Sequence, residues 1–254
     1  MGTDTNRPRG SSASRLAREI EHGRRIAAQA EEIWNWDSPA GQRRADRRAQ
    51  LFVSGGDLGP GRRALELGCG TGVFLERVAR SGAEIRGIDL SEDLLAKART
   101  RVGHLPNVVI DNGNAEQLPY PDGSFDVVYG SSILHHLDLD HALREAHRVL
   151  RSGGRCVFAE PNILNPQVLF MFRFAPVKER FGVSPDEMAF SRFRGRAALV
   201  RAGFTDVDVE PFDFLHPGTP SRWIDRVMGL SRLLERIPLL REVAGSMLMR
   251  ARKA

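Results

Sequence analysis

The stretch Ala64-Leu65-Glu66-Leu67-Gly68-Cys69-Gly70-Thr71-Gly72 decides the fold. An apolar run holding one acid gives way to glycines at alternate positions, and helical periodicity follows from Val73. This pattern predicts a buried strand, a tight turn and the N-terminus of a helix. Glycine suits the turn because it takes positive φ without steric cost and lets backbone lie against a ligand. A glycine loop alone can be no more than a tight turn. The spacing G-x-G-x-G is neither the G-x-G-x-x-G of nicotinamide and flavin binders nor the G-x-x-x-x-G-K-[ST] of a P-loop. No lysine follows to hold a phosphate.

A second strand pattern, Glu84-Ile85-Arg86-Gly87-Ile88, ends in Asp89, where an acid can reach ribose hydroxyls. Three further segments follow in order: Gly113-Asn114-Ala115-Glu116-Gln117-Leu118-Pro119, then Ser124-Phe125-Asp126-Val127-Val128 with His135-His136-Leu137, then Arg148-Val149-Leu150-Arg151-Ser152-Gly153-Gly154. On these motifs the chain resembles the class I S-adenosylmethionine-dependent methyltransferases, specifically the small-molecule type. The resemblance covers residues 60–160 and concerns cofactor and fold more than the methyl acceptor. It implies an α/β fold: a Rossmann-like, doubly wound, mostly parallel sheet whose last two strands form an antiparallel hairpin at the edge. It also implies S-adenosylmethionine as cofactor and S-adenosylhomocysteine as product. No metal is expected, since no C-x-x-C or H-E-x-x-H spacing occurs.

The resemblance assigns Glu66 to the polar methionine end of the cofactor. Gly68, Cys69, Gly70 and Gly72 form the loop against it. Asp89 accepts from the ribose hydroxyls, Leu90 covers adenine, and Gly130 and Ser131 approach the methionine portion. Asn114 stands where many relatives carry Asp; an amide there can pair with adenine as it does in DNA recognition, and Ala115 sits beside the ring. Read without the resemblance, Asp89 could be a helix-capping acid and Asn114 a turn residue. Ser152 replaces the proline of a Pro-Gly-Gly pattern, which changes turn rigidity and not chemistry. A sulfonium is already an activated methyl donor, so alignment and exclusion of water come first, with a general base needed only for a protonated nucleophile. Candidates for that base are His135, His136, Glu160 and, from the later excursion, His216. Trp34, Trp36, Phe170, Phe174 and His216 are candidates for contact with the acceptor. The tryptophans could equally staple helices to the core.

The 254 residues suffice for one sizeable α/β core with additions. Residues 1–14 are expected to be a disordered tail and 15–54 an N-terminal helical cap. Residues 55–254 are read as the methyltransferase domain, with insertions at about 161–192 and 212–244. In the cap, one helix is predicted over 14–33. A second starts at Pro39 behind the N-cap Ser38, with Arg43, Arg44, Arg47 and Arg48 on outer faces. Net charge is +5 with acids interspersed, which favours a solvated arginine-rich surface over a clustered nucleic-acid footprint. Cys69 and Cys156 read as packing residues in a reducing compartment. Without a secretory leader or a long apolar run, a cytoplasmic location is expected.

The Phe- and Met-rich stretch after Pro161 and the apolar helical stretch 223–240 suit a hydrophobic acceptor pocket. The second stretch also suits a plain lid, a homodimer interface in place of a monomer, or an interfacial helix edged by Arg222, Arg226, Arg232 and Arg236 that would give peripheral membrane contact. The functional expectation is methyl transfer to O, N or C of a hydrophobic small molecule: a secondary metabolite, a quinone or a lipid-like compound. Alternatives are an RNA methyltransferase using the N-terminal arginines, although no Asn/Asp-Pro-Pro-Tyr/Phe motif is present, and a non-catalytic S-adenosylmethionine-binding protein, against which the intact loop and Asp89 argue.

Overall fold

The computed structural model describes residues 12–174 and 189–254. The glycine-loop stretch folds as read. Strand β1 (Arg63–Leu67) is buried along four of its five residues. Gly68, Gly70 and Gly72 all take positive φ, and helix α4 (Val73–Val78) follows. A Cβ on Gly68 would lie 2.3 Å from Ile133 Cδ1, so both conformation and space demand glycine there. Strand β2 (Glu84–Asp89) leads into α5 (Glu92–Val102), capped by the Ser91 hydroxyl, which accepts from Leu94 N. Then come β3 (Val108–Asn112), β4 (Phe125–Ser131) and α6 (Leu139–Val149), whose N-cap is Asp138. Strand β5 (Leu150–Pro161) starts five residues before the run predicted from Arg155, because Leu150 already pairs with Phe125 of β4.

Helix α7 (Pro166–Arg173) follows β5, and α8 (Arg192–Arg201) precedes β6 (Thr205–Phe212). Helix α8 begins four residues before Arg196, from which the sequence pattern predicts a helix to Ala202, because Ser191 caps it. The predicted single stretch over 223–240 is two helices, α9 (Ile224–Leu234) and α10 (Pro238–Arg241), divided at Pro238, which cannot continue a helix. Strand β7 (Ser246–Arg252) closes the sheet.

The seven strands run in the order β3-β2-β1-β4-β5-β7-β6. All pairs from β3 to β5 are parallel, and β7 runs antiparallel to both β5 and β6. One face packs Leu65, Leu67 and Val128 under α6 and α8; the other packs Ala64, Val127, Tyr129 and Val157 under α3 (Pro39–Gly56), α4 and α5. Both excursions, 162–191 after β5 and 213–245 after β6, leave the sheet at the carboxyl ends of its parallel strands. Ligand sites of doubly wound sheets lie at that end.

The N-terminal region differs from the reading in two ways. Helix α1 (Ser12–Ile26) begins inside the expected tail, whose residues 1–11 lie outside the described part. The predicted helix over 14–33 is broken by a 3₁₀ turn, Ala27–Gln29, before α2 (Ala30–Ile33). Helix α3 is capped by Ser38 as read, and it ends at Gly56, where Asp57 takes φ 55°. Its arginines are not an outer face. Arg43 is exposed, but Arg44 and Arg47 are mostly covered and Arg48 is 2 % exposed. Each finds a partner far along the chain: Arg43 with Asp225, Arg44 with Asp213, Arg47 with Glu235, and Arg48 with Ser246. The first three bonds tie α3 to the excursion after β6, and the last reaches the start of β7. Neither a solvated stripe nor a nucleic-acid footprint describes Arg44, Arg47 and Arg48.

Candidate active site

A cleft of about 500 Å³ lies over the carboxyl ends of the parallel strands, lined by the turns after β1, β2, β3 and β4 and roofed by α1, α7 and the 213–217 segment. Its size falls within the range of small-molecule sites. The Gly70 N–H donates to Asp89 Oδ2 and the Ser91 N–H to Asp89 Oδ1, both at 2.9 Å. Each carboxylate oxygen has two lone pairs, so both retain an acceptor position that two vicinal hydroxyls could use. Desolvation raises the Asp89 pKa, and the backbone donors of Ser91 and Gly70 oppose it. Trp34 covers the loop, 3.3 Å from where a Cβ on Gly70 would stand.

Glu66 is 1 % exposed beneath this floor, and its Oε2 accepts no bond. It pairs in register with Tyr129 across β1 and β4. The Tyr129 hydroxyl is near enough to favour the carboxylate, yet no bond of good geometry forms and that hydroxyl is also unpartnered. Burial therefore dominates and pushes the Glu66 pKa well above the ordinary range, with the charge on Asp89 adding to it. A buried acid with an orphaned oxygen, next to a backbone cradle and an acid with spare acceptor positions, fits a ligand with an ammonium group and a ribose.

The turn after β4 is held from behind. Glu160, fully buried at the end of β5, accepts from Ile133 N and Leu134 N at 2.9 Å through Oε1, while Oε2 lies 2.8 Å from His135 Nδ1. A carboxylate only accepts, so Nδ1 carries the proton in that contact, which leaves Nε2 of a neutral ring an acceptor. Ser132 in this turn takes φ 55°, a strained conformation for a residue with a side chain. The His136 ring lies 4.4 Å from that of His135, and its Nδ1 meets Glu19 of α1 at 3.1 Å. Arg15 donates to the His136 carbonyl at 2.9 Å and pairs with Glu116, so α1 is fastened across the cleft.

The third wall is cationic. Arg48 donates to Ser131 Oγ at 2.7 Å, Ser132 Oγ at 3.1 Å and Ser246 Oγ at 2.7 Å, with its guanidinium over the Trp36 ring at 5.1 Å. Arg44 pairs with Asp213, which is 4 % exposed and takes φ 73°. Burial, with help from Arg44, lowers the Arg48 pKa to about 10, which leaves it charged at neutral pH.

Of the residues singled out in the sequence, Gly68, Cys69, Gly70, Asp89, Leu90, Ala115, Ser131, Trp34, Trp36, His135, His136 and His216 line the cleft. Gly72 instead packs α4 on α5, where an added Cβ would stand 3.3 Å from Ala98, and Gly130 packs beneath the β4 turn. Asn114 Oδ1 accepts from Glu116 N and closes a local turn, while Gly113 takes the lining position. Glu160 stands behind His135. Phe170 and Phe174 are half-exposed and stack on each other, because α7 turns Val168, Met171 and Phe172 inward. His216 meets Gln167 at 3.1 Å. Residues 175–188 of the expected insertion at about 161–192 lie outside the described residues. No side chain of α9 or α10 lines the cleft; Ile224, Val227 and Met228 pack instead on Leu215 and Ala40. The sequence reading missed Glu19 and His22 on α1, and Arg44 and Arg48 on α3. Spacing within one helix carries no sign of what an adjoining loop supplies.

Known proteins share the motifs and the fold of this chain. The family profile "Methyltransferase domain" matches residues 65–158. A demethylmenaquinone methyltransferase of Geobacillus kaustophilus is 34% identical over 176 residues, 61% of this chain and 75% of that protein. The 27-O-demethylrifamycin SV methyltransferase of Amycolatopsis mediterranei is 40% identical over 108 residues, 41% of this chain and 40% of that protein. An uncharacterised transposon protein of Streptomyces fradiae is 42% identical over 110 residues, 42% of this chain, and the match spans only 32% of its length. Among solved structures, an S-adenosylmethionine-dependent methyltransferase of Thermotoga maritima superposes with TM-score 0.63 at 22% identity, covering 92% of this chain and 100% of that one. The [4+2]-cyclase SpnF superposes with TM-score 0.67 at 23% identity, covering 94% and 96%. A cyclase on the same framework shows that this likeness carries the fold alone. The sequence relatives and the profile carry the family: the chain belongs to the class I S-adenosylmethionine-dependent methyltransferases.

Proposed function

We propose that the chain transfers the methyl group of S-adenosylmethionine to an oxygen, nitrogen or carbon of a lipophilic small molecule. The observation that carries this is the apolar part of the cleft lining, made by Val168, Met171, Phe172, Phe214 and Leu215, with the Phe172 ring against His135. Burying that much apolar surface rewards a hydrophobic acceptor and excludes water from the nucleophile. Relatives named for a demethylmenaquinone and a demethylrifamycin support an acceptor of this kind.

In this reading Asp89 takes the ribose hydroxyls on its spare lone pairs, and Gly68, Cys69 and Gly70 bring backbone to the methionine portion. Glu66 complements the ammonium from beneath. Trp34 and α1 close the cofactor end. The bound cofactor supplies a methyl group on a sulfonium, ready for in-line attack. His135, held by Glu160, accepts the proton at Nε2 where the nucleophile carries one. His136 and Trp36 shape the acceptor end.

Among the described residues no helix is long and apolar enough to cross a membrane. An anionic membrane surface is nonetheless the source of acceptor we propose. Leu230, Leu233, Ile237, Leu239 and Leu240 project outward from the α9–α10 region, and Leu239 is 85 % exposed. Exposed Arg222, Arg226, Arg232 and Arg236 lie along the same stretch, while Glu235 faces inward to Arg47. The two cysteines are free and buried, which suits the reducing cytoplasm.

The test incubates the protein with methyl-labelled cofactor and a cell extract split into organic-soluble, aqueous small-molecule, RNA and protein fractions, beside Asp89→Ala. Label in the organic fraction, absent from the variant, is expected. Label in RNA overturns the reading.

A further inference from the structure

Arg48 is the most deeply buried cation of the cleft. Its three hydrogen-bond partners, Ser131, Ser132 and Ser246, are neutral hydroxyls, and its Nε has no partner although it is buried. Among the described residues, no carboxylate lies within salt-bridge distance of it. The nearby acids are committed elsewhere: Asp213 to Arg44 and Leu215 N, Glu160 to His135 and two backbone donors. Arg44 and Arg47 add repulsion, while the charges on Asp213 and Glu160 attract it from beyond salt-bridge distance. Burying a guanidinium on hydroxyls alone recovers only part of its lost hydration. A site that holds such a charge within a ligand cleft is incomplete without an anion. Two residues with side chains in the left-handed region, Ser132 and Asp213, flank it, and strain of this kind gathers at ligand sites.

We propose that Arg48, set among Ser131, Ser132 and Ser246, docks an anionic oxygen of the methyl acceptor, a carboxylate or an ionised phenol or enol. The inference deepens the acceptor reading above and rests on it. Position separates this subsite from the adenosine end. Ser246 opens β7, the aromatic ring of Phe212 closes β6, and Ser131 ends β4, whereas Asp89, Leu90 and Ala115 sit beside β2 and β3. A lipophile anchored on Arg48 lies between that wall and Met171 and Phe172 of α7, with His135 on its flank. The anchor would fix which atom of the acceptor meets the methyl group.

The full chain, saturated with S-adenosylhomocysteine, is titrated by calorimetry with 2-naphthoate and with the neutral isostere 2-naphthamide. Naphthoate is expected to bind wild type at least ten-fold more tightly, on the scale of one charge-assisted hydrogen bond. Arg48→Gln should equalise the two probes. Arg48→Lys, which keeps the charge and loses the fork, should retain part of the preference. Affinity for S-adenosylhomocysteine should change less than three-fold in both variants. Equal affinities on wild type, or no binding of either probe, overturn the proposal without reference to any variant. A preference that survives Arg48→Gln also overturns it. Loss of S-adenosylhomocysteine affinity with the probe preference intact reassigns the arginine to the cofactor carboxylate and overturns it too. The acceptor reading fails separately, if organic-soluble material takes no label while naphthoate selectivity holds.

Discussion

Glu160 offers the sharpest test of how the site is held. Its two oxygens receive three donors, Ile133 N, Leu134 N and His135 Nδ1, in a position with no solvent contact. Glu160→Ala strands all three. Each buried donor left unsatisfied costs about 1–3 kcal/mol, so the loss should be about 3–6 kcal/mol once water enters part of the space. For a chain of this size about 1 kcal/mol moves the melting temperature by about 2–4 °C, which places the alanine variant at least about 6 °C below wild type. Glu160→Gln is different. Its carbonyl oxygen keeps both backbone donors, and its shape is unchanged. Stability should stay within about 1 kcal/mol of wild type. The carboxamide must however donate to His135 Nδ1, which reverses the tautomer and puts the proton on Nε2. Methyl transfer to a protic acceptor should then fall by about 100-fold, the low end of what a general base contributes, with S-adenosylhomocysteine affinity unchanged. Melting curves followed by circular dichroism and single-turnover label transfer read the two effects apart. Equal destabilisation by alanine and glutamine would refute the reasoning, because the carboxylate oxygens would then not be what holds the turn. So would an alanine variant as stable as wild type.

Four further outcomes are expected. Asp89→Ala should weaken S-adenosylhomocysteine by roughly 100-fold or more in calorimetry, since two hydrogen bonds to a charged acceptor are lost at about 1.5–3 kcal/mol each. Glu66 has a folded-state pKa well above 4.5, so the folded chain keeps a proton the unfolded chain has released, and stability falls as pH rises from about 4.5. Glu66→Gln does not titrate; its melting temperature relative to wild type should therefore climb between pH 4.5 and pH 8, and a flat difference would contradict the burial argument. Gly68→Ala meets Ile133 at 2.3 Å and needs φ 63°, which should cost about 1–3 kcal/mol in chemical denaturation; adding Ile133→Ala should relieve the contacts with Cδ1 and Cγ1 and leave the 3.0 Å approach of its Cβ and the backbone strain. Leu233→Asp with Leu239→Asp should abolish co-sedimentation with vesicles containing anionic lipid while leaving S-adenosylhomocysteine binding unchanged.

The cofactor half of the molecule was legible because its signals are local. Positive φ at Gly68, Gly70 and Gly72, the caps at Ser38 and Ser91, and the acid closing β2 each depend on a few neighbouring residues. Asn114 shows the limit of a motif. Its neighbours Gly113 and Ala115 line the cleft, yet the Asn114 side chain closes its own turn through Glu116 N, and this is the competition that makes Asn a turn residue in the first place. Phe170 and Phe174 show the limit of composition: an aromatic-rich helix has two sides, and which one faces the cleft is set by where Asn165 caps it.

The arginines of α3 failed for a deeper reason. Spacing of charges along a helix is the same whether the face meets water or meets acids delivered from elsewhere. Asp213, Asp225 and Glu235 lie 169, 182 and 188 residues beyond their partners, and no periodicity within α3 can register them. A buried Arg–carboxylate pair is a weak source of stability, because desolvation offsets most of the attraction. Its effect here is one of register: α3 fits the 213–245 excursion in one arrangement, because any slip strands a buried charge. That arrangement is what carries Arg48, the one arginine of the four with no acidic partner among the described residues, into the wall of the cleft. The ion pairs on either side thus fix the direction of a charge whose own neutralisation is left to a ligand, and the same helix that joins the two excursion-built walls supplies the contact by which an acceptor would be oriented.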